Sequence, residues 1–219
     1  MKKKLAIIIP AILLVIGTII SYQMITERQI LPVYSPSQLN PELVDESLRS
    51  VKKNHRIGDF SLIDQNGYKF SHKNLEGNYY VADFFFTTCP SICIDMSTQL
   101  MRVQEEFKED QKFKIVSHTV QPEVDSSSTL LEYAELHDAI PNKWIFLTGD
   151  KKEIYRLARK AYFAATTEGD GGVNDFIHTE NFILVDKEKR IRGFYDGTSE
   201  EDVSRLIRDV KILQREYED

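Results

Sequence analysis

Two cysteines, Cys89 and Cys93, are the only thiols in the 219-residue chain, and they fall in the stretch FFFTTCPSICIDM, residues 84–96. A thiolate is both the nucleophile of disulfide exchange and a ligand for soft metal ions. Pro90 suits the first turn of a helix, and residues four apart on a helix share one face, one turn apart. A helix opening near Pro90 predicts Cys89 at its cap and Cys93 one turn in. Free backbone N–H groups and the positive end of the helix dipole there favour the thiolate. The spacing leaves disulfide exchange, metal binding and a structural disulfide open, although a bridge across so short a loop stabilises weakly. A peroxidase needs an arginine beside its thiolate, and none lies between Asp83 and Leu100.

The elements that must hold these thiols follow from pattern. DFSLIDQNGYKF carries Asn66-Gly67 between two half-apolar runs, a hairpin signal. YYVADFFF (79–86) is a short, aromatic and β-branched strand that runs straight into the cysteines. A helix follows to about Glu109, with Ile92, Met96, Leu100, Val103 and Phe107 on one face. KFKIVSHTV (112–120) and WIFLTG (144–149) are further strands, and 126–138 and 150–164 further helices. NFILVD and RIRGFYDG form a hairpin turned at Lys187–Lys189, and residues 199–218 close the chain as an amphipathic helix. This order predicts an α/β fold with a central mixed sheet and helices on both faces. Function in such sheets sits beyond the carboxyl ends of the strands, where Cys89 lies.

The front of the chain differs. Met1 and three lysines precede an uncharged apolar run, residues 5–25, long enough to cross a bilayer as a helix. The lysines predict a cytoplasmic N-terminus, and no small-residue cleavage site follows the run, which favours an anchor over a cleaved signal. We therefore expect an N-terminal membrane anchor (residues 1–25, a transmembrane helix), a tether (26–56, with a short helix near Pro41–Lys53) and a folded domain (57–219). Of the 28 basic residues 25 remain without those lysines, against 34 acidic ones, so the exported part carries about −9. That disfavours nucleic acid, whose phosphates need basic patches.

The third chemical group lies far along the chain. A thiol oxidoreductase that resembles thioredoxin opens the strand facing its cysteines with a cis-proline. Here the corresponding stretch is FIHTENFILVD, which has no proline, and His178 stands in that place. Two thiolates and an imidazole make three protein ligands. Thiolate suits Cu(I), and imidazole with thiolate also suits Cu(II); zinc with an open position fits as well. His55, His72 and His137 carry no assignment, and His118, inside a strand, reads as a packed or hydrogen-bonded residue.

The chain resembles the Sco/SenC family of copper chaperones, membrane-anchored thioredoxin-like proteins that help assemble the CuA centre of cytochrome c oxidase. The resemblance runs from about His55 to the last helix. It is carried by GDFSLIDQNG, by FFFTTCPSIC with its C-P-x-x-C, by SHTVQPEVD and by DFIHTENFILVD. It implies a thioredoxin-like fold and a copper ion, Cu(I) or Cu(II), held by Cys89, Cys93 and His178. It also implies delivery to cytochrome c oxidase subunit II or another exported copper or thiol protein. The place is then the inner (cytoplasmic) membrane, single-pass, with the soluble domain on the periplasmic or extracytoplasmic side. The alternative is a thiol–disulfide oxidoreductase with Cys89 and Cys93 redox-active. Two positions depart from the family: Ile94 stands where a second proline is frequent, and Gln121 where an aspartate is usual. Asp125 is expected as a helix cap, and the glycines of TTEGDGGVND (166–175) as a hinge that lets His178 move.

Overall fold

Alternation along the central strands decides the architecture. In the computed structural model, which describes residues 14–18, 30–39, 44, 49–50, 55–165, 169, 171–172 and 175–218, all seven residues of β3 (Tyr79–Phe85) are buried. Tyr80, Ala82 and Phe84 enter one apolar cluster, and Tyr79, Val81 and Phe85 enter another on the opposite face. A strand apolar on both faces belongs in the middle of a sheet.

β1 (Ser61–Asp64) and β2 (Lys69–Ser71) form the expected hairpin. Gly67 takes a φ of 80° at its turn, and Asp64 Oδ1 accepts the N–H groups of Asn66 and Tyr68. β4 (Phe113–Thr119) and β5 (Trp144–Thr148) lie parallel to β3, while β6 (Asn181–Val185) and β7 (Ile191–Asp196) run antiparallel. The strand order is β2-β1-β5-β4-β3-β6-β7. The mixed sheet with helices on both faces is therefore as the sequence predicts.

On one face α1 (Ile92–Glu106), α2 (Ser127–Leu136) and α4 (Glu200–Glu216) bury Met96, Leu100, Leu130, Leu206 and Val210 against the sheet. On the other lies α3 (Lys151–Arg156), which continues as a wider π turn, Leu157–Ala161, where a plain helix is expected. Ser126, Asp150 and Ser199 cap α2, α3 and α4 through their side chains.

The sheet belongs to one compact unit, Leu31–Asp219, and Met1–Ile30 forms another. Part of the stretch expected as a tether is docked on the first of these. Arg192 is buried with Asp186 and donates to the carbonyls of Leu31 (2.7 Å) and Pro32 (3.0 Å), while also pairing with Glu216. Tyr34 N–H donates to Ile191 O at 2.9 Å. Most of the expected anchor, and of the short helix near Pro41–Lys53, lies outside the described residues. Residues 14–18 are helical, with Leu14, Val15 and Ile16 exposed. Among the described residues no helix is long and apolar enough to cross a membrane.

Candidate metal centre

β3 carries the chain to the carboxyl end of the sheet, where it turns through residues 86–91 into α1. Ser91 takes φ −138° and ψ −102°, outside the helical region. The helix consequently starts at Ile92, later than expected, and Cys93 is its second residue instead of one turn in. The turn, not a shared helical face, brings the sulfurs together. Both cysteines are free and buried.

The two thiols are electrostatically unequal. Ser91, the residue before α1, supplies no side-chain cap. The Cys93 thiol, the backbone N–H groups of Ser91 and Cys93 and the Ser91 hydroxyl surround the Cys89 sulfur and favour its thiolate. Burial alone would raise the Cys89 thiol, but these groups outweigh it and hold the pKa below its ordinary value. Cys93 moves the opposite way: burial, then its donation to Cys89, hold its pKa well above the ordinary range. The surroundings bias one sulfur toward thiolate and its neighbour toward the protonated thiol.

Two buried carboxylates stand behind this turn. Asp83, the lone charge in YYVADFFF, accepts the Ser117 hydroxyl, which itself accepts Trp144 Nε1–H at 2.8 Å. Burial pushes Asp83 up to about 7 against the pull of that hydroxyl, and its charge acts on Cys93. Asp125 is fully buried but caps no helix; Ser126 does that. Asp125 instead accepts the Thr87 N–H (3.2 Å) and the hydroxyls of Thr87 and Thr119, tying the turn before Cys89 to the loop after β4. Gln121 accepts the Thr88 hydroxyl at 3.2 Å.

His178 arrives from the other side. β6 pairs antiparallel with β3, Ala82 opposite Ile183, so the segment entering β6 starts at the sheet end where β3 leads to Cys89. That segment is extended. Ile177 and Thr179 point inward and are buried, while Phe176, His178 and Glu180 are exposed. The Phe176 ring meets Phe86 edge-on, 5.2 Å between centroids. Among the described residues no three His, Cys, Asp or Glu side chains form a group able to hold a metal. The structure thus joins Cys89 to Cys93 and leaves the His178 ring outside that pair, because alternation turns it to solvent.

The other histidines serve packing. His118 is fully buried against Phe84, Phe60 and Tyr162, with Nδ1 3.2 Å from Asp83 O and Nε2 without a hydrogen-bond partner among the described residues. His55 Nε2 lies 2.7 Å from Ala161 O, and His72 Nδ1 accepts Phe60 N–H. Of the groups that the sequence analysis passed over, Asp83 had a signal, a single charge in an apolar strand. Ser91 had none, because its part depends on where the helix starts.

A model of the SCO1/SenC family matches residues 49–214. The SCO1 protein homolog of Bacillus subtilis (strain 168) is 31% identical over 160 residues, 72% of this chain and 82% of that protein. The structure of BsSco, a member of the Sco family of cytochrome c oxidase assembly proteins, superposes with a TM-score of 0.62 at 29% identity, covering 73% of this chain and 94% of that one. Arabidopsis thaliana ScoI with copper bound gives a TM-score of 0.59 at 30% identity, covering 73% and 98%. Matched by the family model over most of its length, and sharing both fold and sequence with these proteins, the chain belongs to the SCO1/SenC family.

Proposed function

We propose that this protein is a copper metallochaperone. Cys89, Cys93 and His178 hold one copper ion, Cu(I) or Cu(II), as cargo and pass it by ligand exchange to the CuA site of cytochrome c oxidase, on subunit II or another exported acceptor. The observation that carries this reading is the sulfur pair: two free, buried thiols at one turn, one biased toward thiolate and the other toward the protonated form, in a family with copper-bound members. Two such donors suit a soft cation. The cysteines are the preformed half of the site, and His178, exposed at the same end of the sheet, is the half that the metal recruits. Metal binding must displace the proton that Cys93 keeps.

Residues 1–25 serve as a single-pass anchor in the cytoplasmic membrane and 26–56 as the link, with the domain from residue 57 on the extracytoplasmic side. Mixing the copper-loaded full-length protein with metal-free subunit II tests delivery. The CuA absorption should grow as copper leaves the chaperone; copper that stays on the chaperone would overturn delivery.

The inequality of the thiols also favours a second reading, thiol–disulfide exchange. The Cys89 thiolate attacks a partner disulfide, forming a mixed disulfide and releasing one partner thiol. Cys93, deprotonated, then attacks the Cys89 sulfur and releases the second. The partner gains two electrons and two protons, and the Cys89–Cys93 pair ends as a disulfide. Cys93→Ser should trap the mixed disulfide; if it traps none while Cys89→Ser does, this order of attack is wrong.

A further inference from the structure

The geometry points to Arg159 as the residue that positions His178, an inference that rests on the reading of His178 as a metal ligand. Arg159 sits within the π turn of 157–161, a widened turn of a kind often found at functional sites. Its guanidinium makes a two-pronged pair with Asp175, Nη1 to Oδ2 and Nη2 to Oδ1, both 2.6 Å. The paired side chains are 10% and 8% exposed. Asp175 Oδ2 also accepts the Gly171 N–H at 2.7 Å. The Tyr155 hydroxyl lies 3.2 Å from Asp175 O and 3.0 Å from Val120 O, and Arg159 lies over its ring, 5.2 Å from the centroid.

The far side of His178 is held by the same stretch of chain. The Thr179 hydroxyl (2.5 Å) and the Asn181 amide (2.9 Å) both donate to Ala164 O. Ile177, between the two anchors, is 1% exposed in the core. His178 therefore rides on a bridge of three residues, 176–178, fixed at both ends to residues 155–164. Its Phe176 lies on Phe86, three residues before Cys89. The backbone from which the His178 ring reaches is thus held through Asp175, and a fork of two parallel donors fixes Asp175 as a single ammonium cannot. A freely hinged histidine is not what these contacts describe.

The test uses the full-length protein with Arg159→Gln, Arg159→Lys and, should either fail to fold, Asp175→Asn. Three quantities are read: hydrogen exchange of amides 176–180 without metal, Cu(I) affinity by competition with a chromophoric chelator, and the alkylation rate of Cys89. Arg159→Gln should speed exchange in 176–180 and weaken copper binding about tenfold, the loss typical of removing a residue that orients a ligand. Cys89 alkylation should not change, and Arg159→Lys should fall between. In a His178→Ala background Arg159→Gln should cost no further copper affinity. The inference is overturned if His178→Ala weakens copper binding while Arg159→Gln alters neither exchange nor affinity. It is also overturned if Arg159→Gln costs the same with and without His178. If His178→Ala leaves affinity intact, the three-ligand reading falls instead, and unchanged exchange in Arg159→Gln would still remove Arg159 from its positioning role.

Discussion

At the scale of single residues, the chemistry rests on how burial and hydrogen bonds divide one proton between two sulfurs. The donors around Cys89 hold its pKa below the ordinary thiol value, while burial and the neighbouring sulfur hold that of Cys93 above it. Alkylation followed against pH should show Cys89 reacting first, with a midpoint below that of an ordinary thiol. Cys93→Ala, which removes one donor, should raise that midpoint; an unchanged midpoint would mean that the backbone N–H groups alone set it. The buried pair beneath makes stability depend on pH in two opposed ways. Burial holds His118 at about 4 against 6.5, so its share of stability is present above pH 6.5 and lost as pH falls to 4, roughly 3 kcal/mol in all. Burial holds Asp83 at about 7 against 3.8, so its share is full below 3.8 and lost as pH rises through 7. Urea unfolding should therefore find Asp83→Asn more stable than the native protein at pH 8 and not at pH 4. Equal midpoints at pH 8 would show Asp83 uncharged or solvated there. The cysteines and His178 stood out in the sequence as candidates by residue type and by the missing proline. The inequality of the thiols was not, since it arises from donors that only the folded turn assembles.

At the scale of elements, strands and helices followed the sequence closely because each carries one dominant pattern. β3 is apolar on both faces, β1 and β2 meet at Asn66-Gly67, and α4 opens with Ser199 followed by three acids. Departures came where a local preference met a tertiary one. The non-helical backbone of Ser91 delays α1, and the helix expected over 150–164 widens into a π turn at Leu157–Ala161. The docking of residues 31–39 was hidden because no periodicity marks it; it rests on contacts with β7 and the last helix, among them the buried Arg192, Ile191 O and Glu216. Arg192→Met would strip Glu216 of its Arg192 pair, leave Asp186 with Arg190 as its remaining ion partner, and release the carbonyls of Leu31 and Pro32. Breaking a buried pair on one side costs about 3–5 kcal/mol, so urea unfolding should show a loss of that order, with faster proteolysis within 31–39. A loss below about 1 kcal/mol would make the contact an ordinary surface one.

At the scale of the molecule, the antiparallel return of β6 beside β3 sets the segment of residue 178 at the sheet end that holds the thiols. That topology was legible from the order of elements and from the family resemblance. Orientation of the imidazole was not, because burial of Ile177 and Thr179 turns it outward. Copper must displace the Cys93 proton, so affinity should rise with pH across the neutral range; a flat profile would imply binding without the second thiolate. The most direct test of the central claim is a Cu(II) titration of the reduced full-length protein, followed by its sulfur-to-copper charge-transfer band, in native and His178→Ala forms. We predict one copper per chain, a band lost in Cys89→Ser and Cys93→Ser, and in His178→Ala a shifted band with affinity lower by about tenfold or more. An unshifted band and unchanged affinity in His178→Ala would contradict the three-ligand centre.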